Sequence, residues 1–256
     1  MITIKTPEDI QKLREGGKHL AKVLSALRDA TKVGVKTDEL NTLAEKMVAE
    51  MGDKPAFLNY RPKGAQRAFP ASLCVSVNDE IVHGIPNENS RELVGGDIVG
   101  LDMGLIHDGM IVDSAITVGV GKIDAKAKKL LAATEESLYA GIKAARGGAH
   151  VGDIGVAVEA VATRNSFSIA DELAGHGVGY KVHEDPFVPN FGAPGQGPLL
   201  KPGMVIAIEP MLNEGGSEIS VGQDGWTIST KDGSRSAHFE HTILITEGAP
   251  EILTKA

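Results

Sequence analysis

The predicted order of helices and strands occurs twice along this chain of 256 residues, and this repetition is the strongest constraint on its fold. In the first half, helices with apolar residues at helical spacing are predicted after a Thr6 cap with Pro7 and after a cap at Thr37. Strand patterns cover residues 73–77, 97–105 and 110–118, and residues 107–109 predict a hairpin turn between the last two. In the second half, helix patterns begin near Asp124 and Asp153, and strand patterns cover residues 177–182, 204–212, 226–230 and 237–246. The repetition predicts an α/β chain with one domain over residues 1–256, built from related halves at about 1–120 and 121–256.

Short residue matches between the halves support this duplication. Residues 82–86 (Val-His-Gly-Ile-Pro) resemble residues 182–186 (Val-His-Glu-Asp-Pro), and residues 96–102 resemble residues 203–209. One such match arises easily by chance among short aliphatic strands, but matches in the same order do not. Each half therefore supplies one histidine and two carboxylates, which pair as His83 with His183, Asp102 with Glu209, and Asp113 with Glu240.

Composition and charge exclude several classes of protein. The longest apolar runs are shorter than the ~18–20 residues of a membrane span, and no basic segment followed by an apolar one marks an export signal. The one cysteine, Cys74, excludes an intrachain disulfide and a cysteine-based zinc cluster, which favours a cytoplasmic location. The net charge of −8 argues against a broad nucleic-acid-binding surface, so no specific nucleic acid is expected as a partner.

Carboxylates within aliphatic strand patterns point to bound cations. Asp102 and Glu209 lie in such patterns, and a buried carboxylate needs a cation or strong hydrogen bonds. Backbone donors or an arginine would be enough for any one of them. Four carboxylates in duplicated positions need a shared partner, however, and the strands carry no matching set of Arg or Lys. A pair of metal ions is the simplest source of that positive charge.

His176 adds one nitrogen donor to the four carboxylates. It lies between two glycines, which allow close backbone approach. The equivalent position in the first half is Ser76. Alone, it would more often be a structural histidine in a turn. One imidazole with four carboxylates suits manganese, iron, cobalt or zinc, and two ions about 3.5–4 Å apart activate a bridging water for hydrolysis. His83 and His183 then remain for substrate hydrogen bonds or proton transfer, or are simply turn residues.

The motifs that carry these residues resemble those of the type I methionine aminopeptidases over nearly the whole chain. Asp102 and Asp113 lie 11 residues apart, and His176 and His183 lie 7 apart, as in that family. The resembling segments are residues 74–78, 83–86, 101–102, 112–114, 175–177, 183–186, 208–211 and 236–242.

The resemblance implies the pita-bread α/β fold, in which two pseudo-twofold-related halves form a central antiparallel sheet covered by helices. It implies a dimetal-dependent hydrolase in which a water or hydroxide between the metals attacks the scissile carbonyl. The reaction removes the initiator methionine from nascent proteins whose second residue is small. The implied metal ligands are Asp102, Asp113, His176, Glu209 and Glu240, with Asp113 and Glu240 bridging the two ions.

The resemblance also implies catalytic and substrate-binding roles around the metals. Glu209 would take part in proton transfer, His183 would hydrogen-bond the scissile carbonyl oxygen, and His83 would contact the scissile amide nitrogen. The residues that match the methionine pocket are Phe57, Tyr60, Cys74 and Trp226. For Phe57 and Trp226, packing in the core or a loop is an equal alternative, and Cys74 fits a buried pocket wall better than a nucleophile.

Two departures from the family concern the shape of this pocket. Val182 replaces the aromatic residue that commonly precedes the second histidine, and residues 61–69 form a segment about six residues longer than in familiar bacterial members. The pocket is therefore expected to differ in shape, without a change in the metal chemistry. Asn78 and Ser236 match positions near a structural monovalent cation in the family.

Spacing further favours the minimal, bacterial-like type. Only 25 residues separate His183 from Glu209, too few for the helical insertion of type II enzymes. Only 82 residues precede His83, too few for the additional domain of the prolidases. The expected partner is the N-terminus of a nascent polypeptide, with a transient ribosome contact, and the expected state is a monomer.

Two other functions fit the sequence less well. The first is an aminopeptidase or dipeptidase of the same fold that prefers another N-terminal residue, such as proline, and is tested with Xaa-Pro peptides. The second is a protein of this fold that has lost catalysis and binds ribosomes or nucleic acid. Proteins of the second kind usually lack some metal ligands, whereas all five are present here.

Overall fold

The computed structural model describes residues 1–255, and the helices in that range are α1 (Pro7–Ala30), α2 (Thr37–Glu50), α3 (Ala125–Ala144) and α4 (Val151–Asn165). Helix α1 begins as predicted, because the Thr6 side chain accepts a hydrogen bond from the Asp9 N–H. The predicted cap at Thr37 is wrong by one residue. Lys36 occupies that position, and the Thr37 hydroxyl donates to the Pro86 carbonyl oxygen instead.

The strands are short except for one long hairpin. They are β1 (Lys54–Pro55), β2 (Cys74–Val77), β3 (Glu80–Val82), β4 (Ile98–His107), β5 (Met110–Gly119), β6 (Ser168–Ile169), β7 (Ala174–Gly177), β8 (Glu184–Pro189), β9 (Val205–Ile208), β10 (Met211–Asn213), β11 (Ile219–Val221), β12 (Ile228–Thr230), β13 (Ser236–His238), β14 (Glu240–Leu244) and β15 (Glu251–Ile252). Strands β4 and β5 meet at Asp108-Gly109, where both residues have positive φ (45° and 82°), as in a type I′ hairpin. The predicted turn is confirmed.

The main sheet has nine strands, each antiparallel to its neighbours. Its order is β1-β4-β5-β14-β9-β7-β8, with β2 also paired to β4 and β15 also paired to β14. This order is symmetrical about the β5–β14 pair, because β4 flanks β5 as β9 flanks β14, and β2 joins β4 as β7 joins β9. The arrangement agrees with a duplicated chain, although the division of one domain near residue 120 stays a prediction.

The predicted strands of the second half are interrupted. The strand predicted at 177–182 is wrong, because β7 ends at Gly177 and residues 178–183 turn through Gly179, whose φ is +137°. The pattern at 204–212 divides at Glu209-Pro210, where proline offers no N–H to a ladder. The pattern at 237–246 divides at Phe239. Apolar residues lie on both sides of each break, so the hydrophobic periodicity does not show where a strand ends.

Two large hydrophobic clusters anchor the helices to the sheet. The first joins α1 and α2 to β2, β4 and β5 and includes Leu20 and Leu101, both fully buried. The second joins α3 and α4 to β9 and β14 and includes Ile154 and Ile206. Within residues 1–255, none of the helices combines the length and the apolar composition that crossing a bilayer requires.

A close backbone contact seats α1 against the C-terminal segment. A Cβ atom at Gly17 would lie 2.1 Å from the carbonyl oxygen of Leu253. The next residue, Thr254, accepts a hydrogen bond from the Thr242 N–H in β14 at 3.1 Å. Because β14 begins with Glu240, the position of α1 is coupled to a strand that carries a predicted metal ligand.

We predict that Gly17→Ala destabilises the protein by about 1–3 kcal/mol, because the added methyl group forces the helix away from a backbone carbonyl that cannot rotate aside. In an unobstructed helix, the same change would stabilise by about 1 kcal/mol. Chemical denaturation measures the difference, with Lys22→Ala on an exposed position of α1 as the control. A Gly17→Ala variant as stable as the wild type would show that α1 does not depend on this contact.

Candidate metal centre and active site

Five adjacent strands of the main sheet each bring one predicted metal ligand toward the same cavity. Asp102 lies on β4, Asp113 on β5, Glu240 at the start of β14, Glu209 directly after β9, and His176 on β7. These strands are consecutive neighbours across the sheet. The sequence therefore needs no long loop to gather the donors, since strand pairing alone places them side by side.

The register of the central strands puts three carboxylates on one face. Ala115 in β5 pairs with Asp102 in β4 and with Glu240 in β14. Directly paired residues point to the same face of a sheet, and so do residues two apart on one strand. Asp113 is two residues from Ala115 and therefore shares the face of Asp102 and Glu240.

The histidine is oriented with its free nitrogen toward the carboxylates. His176 Nδ1 lies 2.9 Å from the carbonyl oxygen of Gly177, so Nδ1 carries the proton and donates it. Its Nε2 lies 3.4 Å from Glu209 Oε1. Donor atoms of Asp113, His176 and Glu240 all lie within 4.8 Å of one another. One ion could contact all three.

Burial makes negative charge costly in this cluster. It raises the pKa of Asp113 to about 7 and that of Asp102 well above its usual value, with a further contribution from the Asp113 charge. Burial and the neighbouring carboxylates also raise the pKa values of Glu209 and Glu240. Burial lowers the pKa of His176 to about 3, which keeps its imidazole neutral. Without cations, the four carboxylates would take up protons near neutral pH, whereas the imidazole would stay neutral.

The chemistry of the donors fits divalent metal ions. Within residues 1–255, the buried Oδ1 atoms of Asp102 and Asp113 have no hydrogen-bond partner. A buried carboxylate oxygen with no protein donor is costly unless a cation or water satisfies it. Oxygen donors with one imidazole nitrogen suit divalent transition metals. That these residues ligate metal stays a prediction, which the geometry makes specific.

Two further histidines face the cavity, and both are predominantly neutral at pH 7. Burial lowers the pKa of His83 to about 4, and desolvation also lowers that of His183. The Tyr60 hydroxyl lies 2.7 Å from His183 Nδ1, which leaves Nε2 as the nitrogen available to a substrate. The ring of His83 meets that of Trp226 edge to face at 6.0 Å. Both imidazoles are thus held by aromatic neighbours.

One cavity of about 110 Å³ brings the predicted site together. All five candidate ligands line it, as do both predicted catalytic histidines and all four residues predicted for the methionine pocket. Burial raises the pKa of Cys74, so its thiol stays protonated and forms part of the wall. The alternative interpretation of Phe57 and Trp226 as packing residues is compatible with this position, because both also contact the first hydrophobic cluster.

The structure adds residues that sequence reasoning did not assign to the site. Pro62 and Phe69 line the cavity from the long segment 61–69, and Val182 lines it as well. His238 is buried, and its Nε2 lies 3.6 Å from Glu209 Oε2 with no hydrogen-bond partner among residues 1–255. The sequence feature that could have placed His238 in the site is its position two residues before the predicted ligand Glu240.

The predicted monovalent-cation residues also come together. The Ser236 N–H donates to the Asn78 carbonyl oxygen at 2.9 Å, and the Asn78 side chain bonds Asp97 and the Ile98 N–H. The backbone bond joins β13 to the residue after β2, and the side-chain bonds join that residue to the start of β4. Binding of a cation there stays a prediction.

Comparison with known proteins now identifies the family. The sequence model described as metallopeptidase family M24 matches residues 11–247. This chain belongs to metallopeptidase family M24. The resemblance noted from the motifs is confirmed by relatives named methionine aminopeptidase. One from Aquifex aeolicus is 46% identical and one from Bacillus subtilis is 45% identical, and each alignment covers at least 99% of both chains.

Solved structures confirm the pita-bread fold of this M24 enzyme. A methionine aminopeptidase from Thermotoga maritima has a TM-score of 0.94 and 41% identity, with both chains covered completely. A prolidase from Pyrococcus furiosus has a TM-score of 0.76 and 21% identity over 99% of this chain and 65% of its own. The second similarity shows the fold alone.

We predict that the metal-free protein loses stability as the pH rises from about 7 to 8.5. The four carboxylates have folded-state pKa values above their unfolded ones, so the stability that they contribute below the unfolded pKa is lost as the pH rises through the folded value. A folded state that binds about one proton more than the unfolded chain across this window loses about 2 kcal/mol of stability, which lowers Tm by about 4–8 °C. Calorimetry of chelated protein at both pH values measures the change.

Two comparisons isolate the cause of this effect. The buried histidines oppose this effect only weakly above pH 7, because burial lowers their pKa values in the folded state and unfolded imidazoles lose their protons near about pH 6.5. Asp113→Asn removes one of the groups and should reduce the slope of Tm against pH, whereas added divalent metal should remove most of it. A chelated wild type whose Tm is constant or rises between these pH values would contradict the account.

Proposed function

We propose that this chain is a dimetal methionyl aminopeptidase that removes the N-terminal methionine from polypeptides with a small second residue. The observation that carries the proposal is the convergence of five metal-donor side chains in a cavity that apolar and aromatic side chains also line. Membership of a metallopeptidase family and relatives named methionine aminopeptidase support it.

Asp102, Asp113, His176, Glu209 and Glu240 are the residues that would hold two divalent ions. When bound there, such ions supply an activated water near neutral pH and polarise a carbonyl group. Cobalt, manganese, iron and zinc all remain candidates, because each accepts carboxylate and imidazole ligands.

The histidines suit the handling of the scissile peptide. Tyr60 holds His183 through Nδ1, so that Nε2 can donate to the carbonyl oxygen as negative charge develops on it. A neutral His83 can exchange a hydrogen bond with the amide nitrogen without adding a second positive charge. Glu209 would lie beside the ions, where a carboxylate can take up a proton and return it to the leaving amine.

The apolar part of the lining suits a thioether side chain. Phe57, Phe69 and Trp226 supply aromatic rings, and Cys74 and Val182 add uncharged surface. Methionine sulfur makes favourable contacts with aromatic rings, and its flexible chain adapts to an irregular pocket. The carboxylates of the same cavity would attract a free α-amine and disfavour a blocked one, as an exopeptidase requires.

The first test is hydrolysis of Met-Ala-Ser by chelated protein after each divalent ion is added back singly. We expect release of methionine with at least one of the four metals, and none from N-acetyl-Met-Ala-Ser, which lacks the free amine. A panel of Xaa-Pro peptides is the contrasting substrate set. If Xaa-Pro peptides are cut while Met-Ala-Ser stays intact, the methionine assignment is wrong and the alternative peptidase is favoured.

We predict that Asp113→Asn and Glu240→Gln each lower kcat/KM at least about 100-fold, because each removes an anion proposed to contact both ions. Elemental analysis of the purified variants should show less bound metal. Glu218→Gln, at an exposed residue directly before β11, is the control, since it leaves the cavity unchanged. Near-normal turnover by either variant, at wild-type metal content, would exclude the proposed ligand set.

The remaining features of the proposal concern the setting of the reaction. We propose a cytoplasmic location, which a single unpaired cysteine fits. The substrate would be the N-terminus of a nascent polypeptide, reached through a transient ribosome contact. A monomer is sufficient for catalysis, since all proposed ligands come from one chain.

A further inference from the structure

A second cluster of metal-donor side chains lies outside the catalytic cavity. His19 in α1, Asp53 in the connection between α2 and β1, and His107 at the end of β4 offer donor atoms that all lie within 4.8 Å of one another. His19 Nδ1 is 2.7 Å from Asp53 Oδ2, and His107 Nδ1 is 2.7 Å from Asp53 Oδ1. The imidazoles meet edge to face, with centroids 5.1 Å apart.

The buried carboxylate in this cluster is bonded by two imidazoles rather than by a lysine or arginine. The Asp53 side chain is 3% exposed. Within residues 1–255, its ion-pair partners at 4.0 Å or less are the two imidazoles, with no lysine or arginine. A buried carboxylate is costly unless it is paired with positive charge. A divalent cation held by the same three side chains would supply fixed positive charge beside it.

The arrangement around the histidines matches that of metal ligands. Two imidazole nitrogens and one carboxylate form a donor set that zinc, nickel, cobalt and copper accept. Glu15 Oε1 lies 3.6 Å from Nε2 of His19, the nitrogen that does not face Asp53. This distance is too long for a hydrogen bond, but it leaves a carboxylate beside the second nitrogen, as is common for metal-binding histidines. The imidazoles are 15% and 19% exposed, so an ion can reach them from solvent.

This cluster is separate from the proposed catalytic site. His107 lies five residues along β4 from Asp102, which is roughly 17 Å in an extended strand. The three residues are absent from the lining of the catalytic cavity. They lie between α1 and the outer end of the β4–β5 hairpin.

We propose that His19, Asp53 and His107 form a peripheral site for one divalent transition-metal ion such as zinc. The ion takes the place of the protons between each Nδ1 and the carboxylate, and water or hydroxide completes its coordination. It joins α1, the α2–β1 connection and the β4–β5 hairpin. The site does not depend on the function proposed above.

Zinc stoichiometry tests this site in the full chain. Metal-stripped wild type and the variants His19→Gln and His107→Gln are equilibrated with micromolar free zinc near pH 7.5, and bound zinc is measured per chain. We expect each variant to bind about one zinc fewer than the wild type. His150→Gln, which changes a histidine outside both clusters, should bind as much as the wild type. Folded variants that keep the wild-type stoichiometry would overturn the proposal.

A crystallographic measurement covers the case in which a variant does not fold. Circular dichroism first establishes whether each variant is folded. Wild-type crystals equilibrated with zinc are then measured at the zinc absorption edge. An anomalous peak about 2.0–2.2 Å from both Nδ1 atoms and from a carboxylate oxygen of Asp53 supports the site. No peak there, in crystals whose catalytic cavity contains zinc, would overturn it.

Discussion

Mutual repulsion among four buried carboxylates is the constraint on which the rest of this structure depends. Asp102, Asp113, Glu209 and Glu240 would separate if the strands that carry them were free to move. The central β5–β14 pair is held by side-chain hydroxyls as well as by its ladder, since Ser114 donates to the Glu240 carbonyl oxygen at 2.7 Å. The Thr242 hydroxyl both donates to the carbonyl and accepts from the N–H of Asp113. These bonds keep the four side chains together before any cation binds.

The duplication explains why so much of the site could be predicted from the sequence. Equivalent strands in the two halves carry equivalent carboxylates, so a pattern that is weak for one residue becomes specific when it occurs twice. The register of Val77 with Val99 in one half corresponds to that of Gly177 with Ile206 in the other. Symmetry in the sheet is thus visible as repetition in the sequence.

Other features could not be predicted because they depend on contacts between distant segments. The breaks at Gly177, Pro210 and Phe239 interrupt apolar runs without changing their hydrophobicity. Phe69 reaches the cavity from a loop whose path no local pattern specifies. The donors of the peripheral cluster are 34 and 54 residues apart, so no short motif links them.

The position of the β5–β14 pair in the middle of the main sheet has a consequence for folding. Glu240 pairs with Ala115, so the last large gap in the sheet closes only when segments far apart in the chain meet. Such non-local pairing slows folding, because loop-closure entropy is lost before the contact stabilises the chain. Until then, β5 presents an unpaired edge that can recruit strands from other molecules. A fragment ending before β14 would keep that edge permanently open and would tend to aggregate.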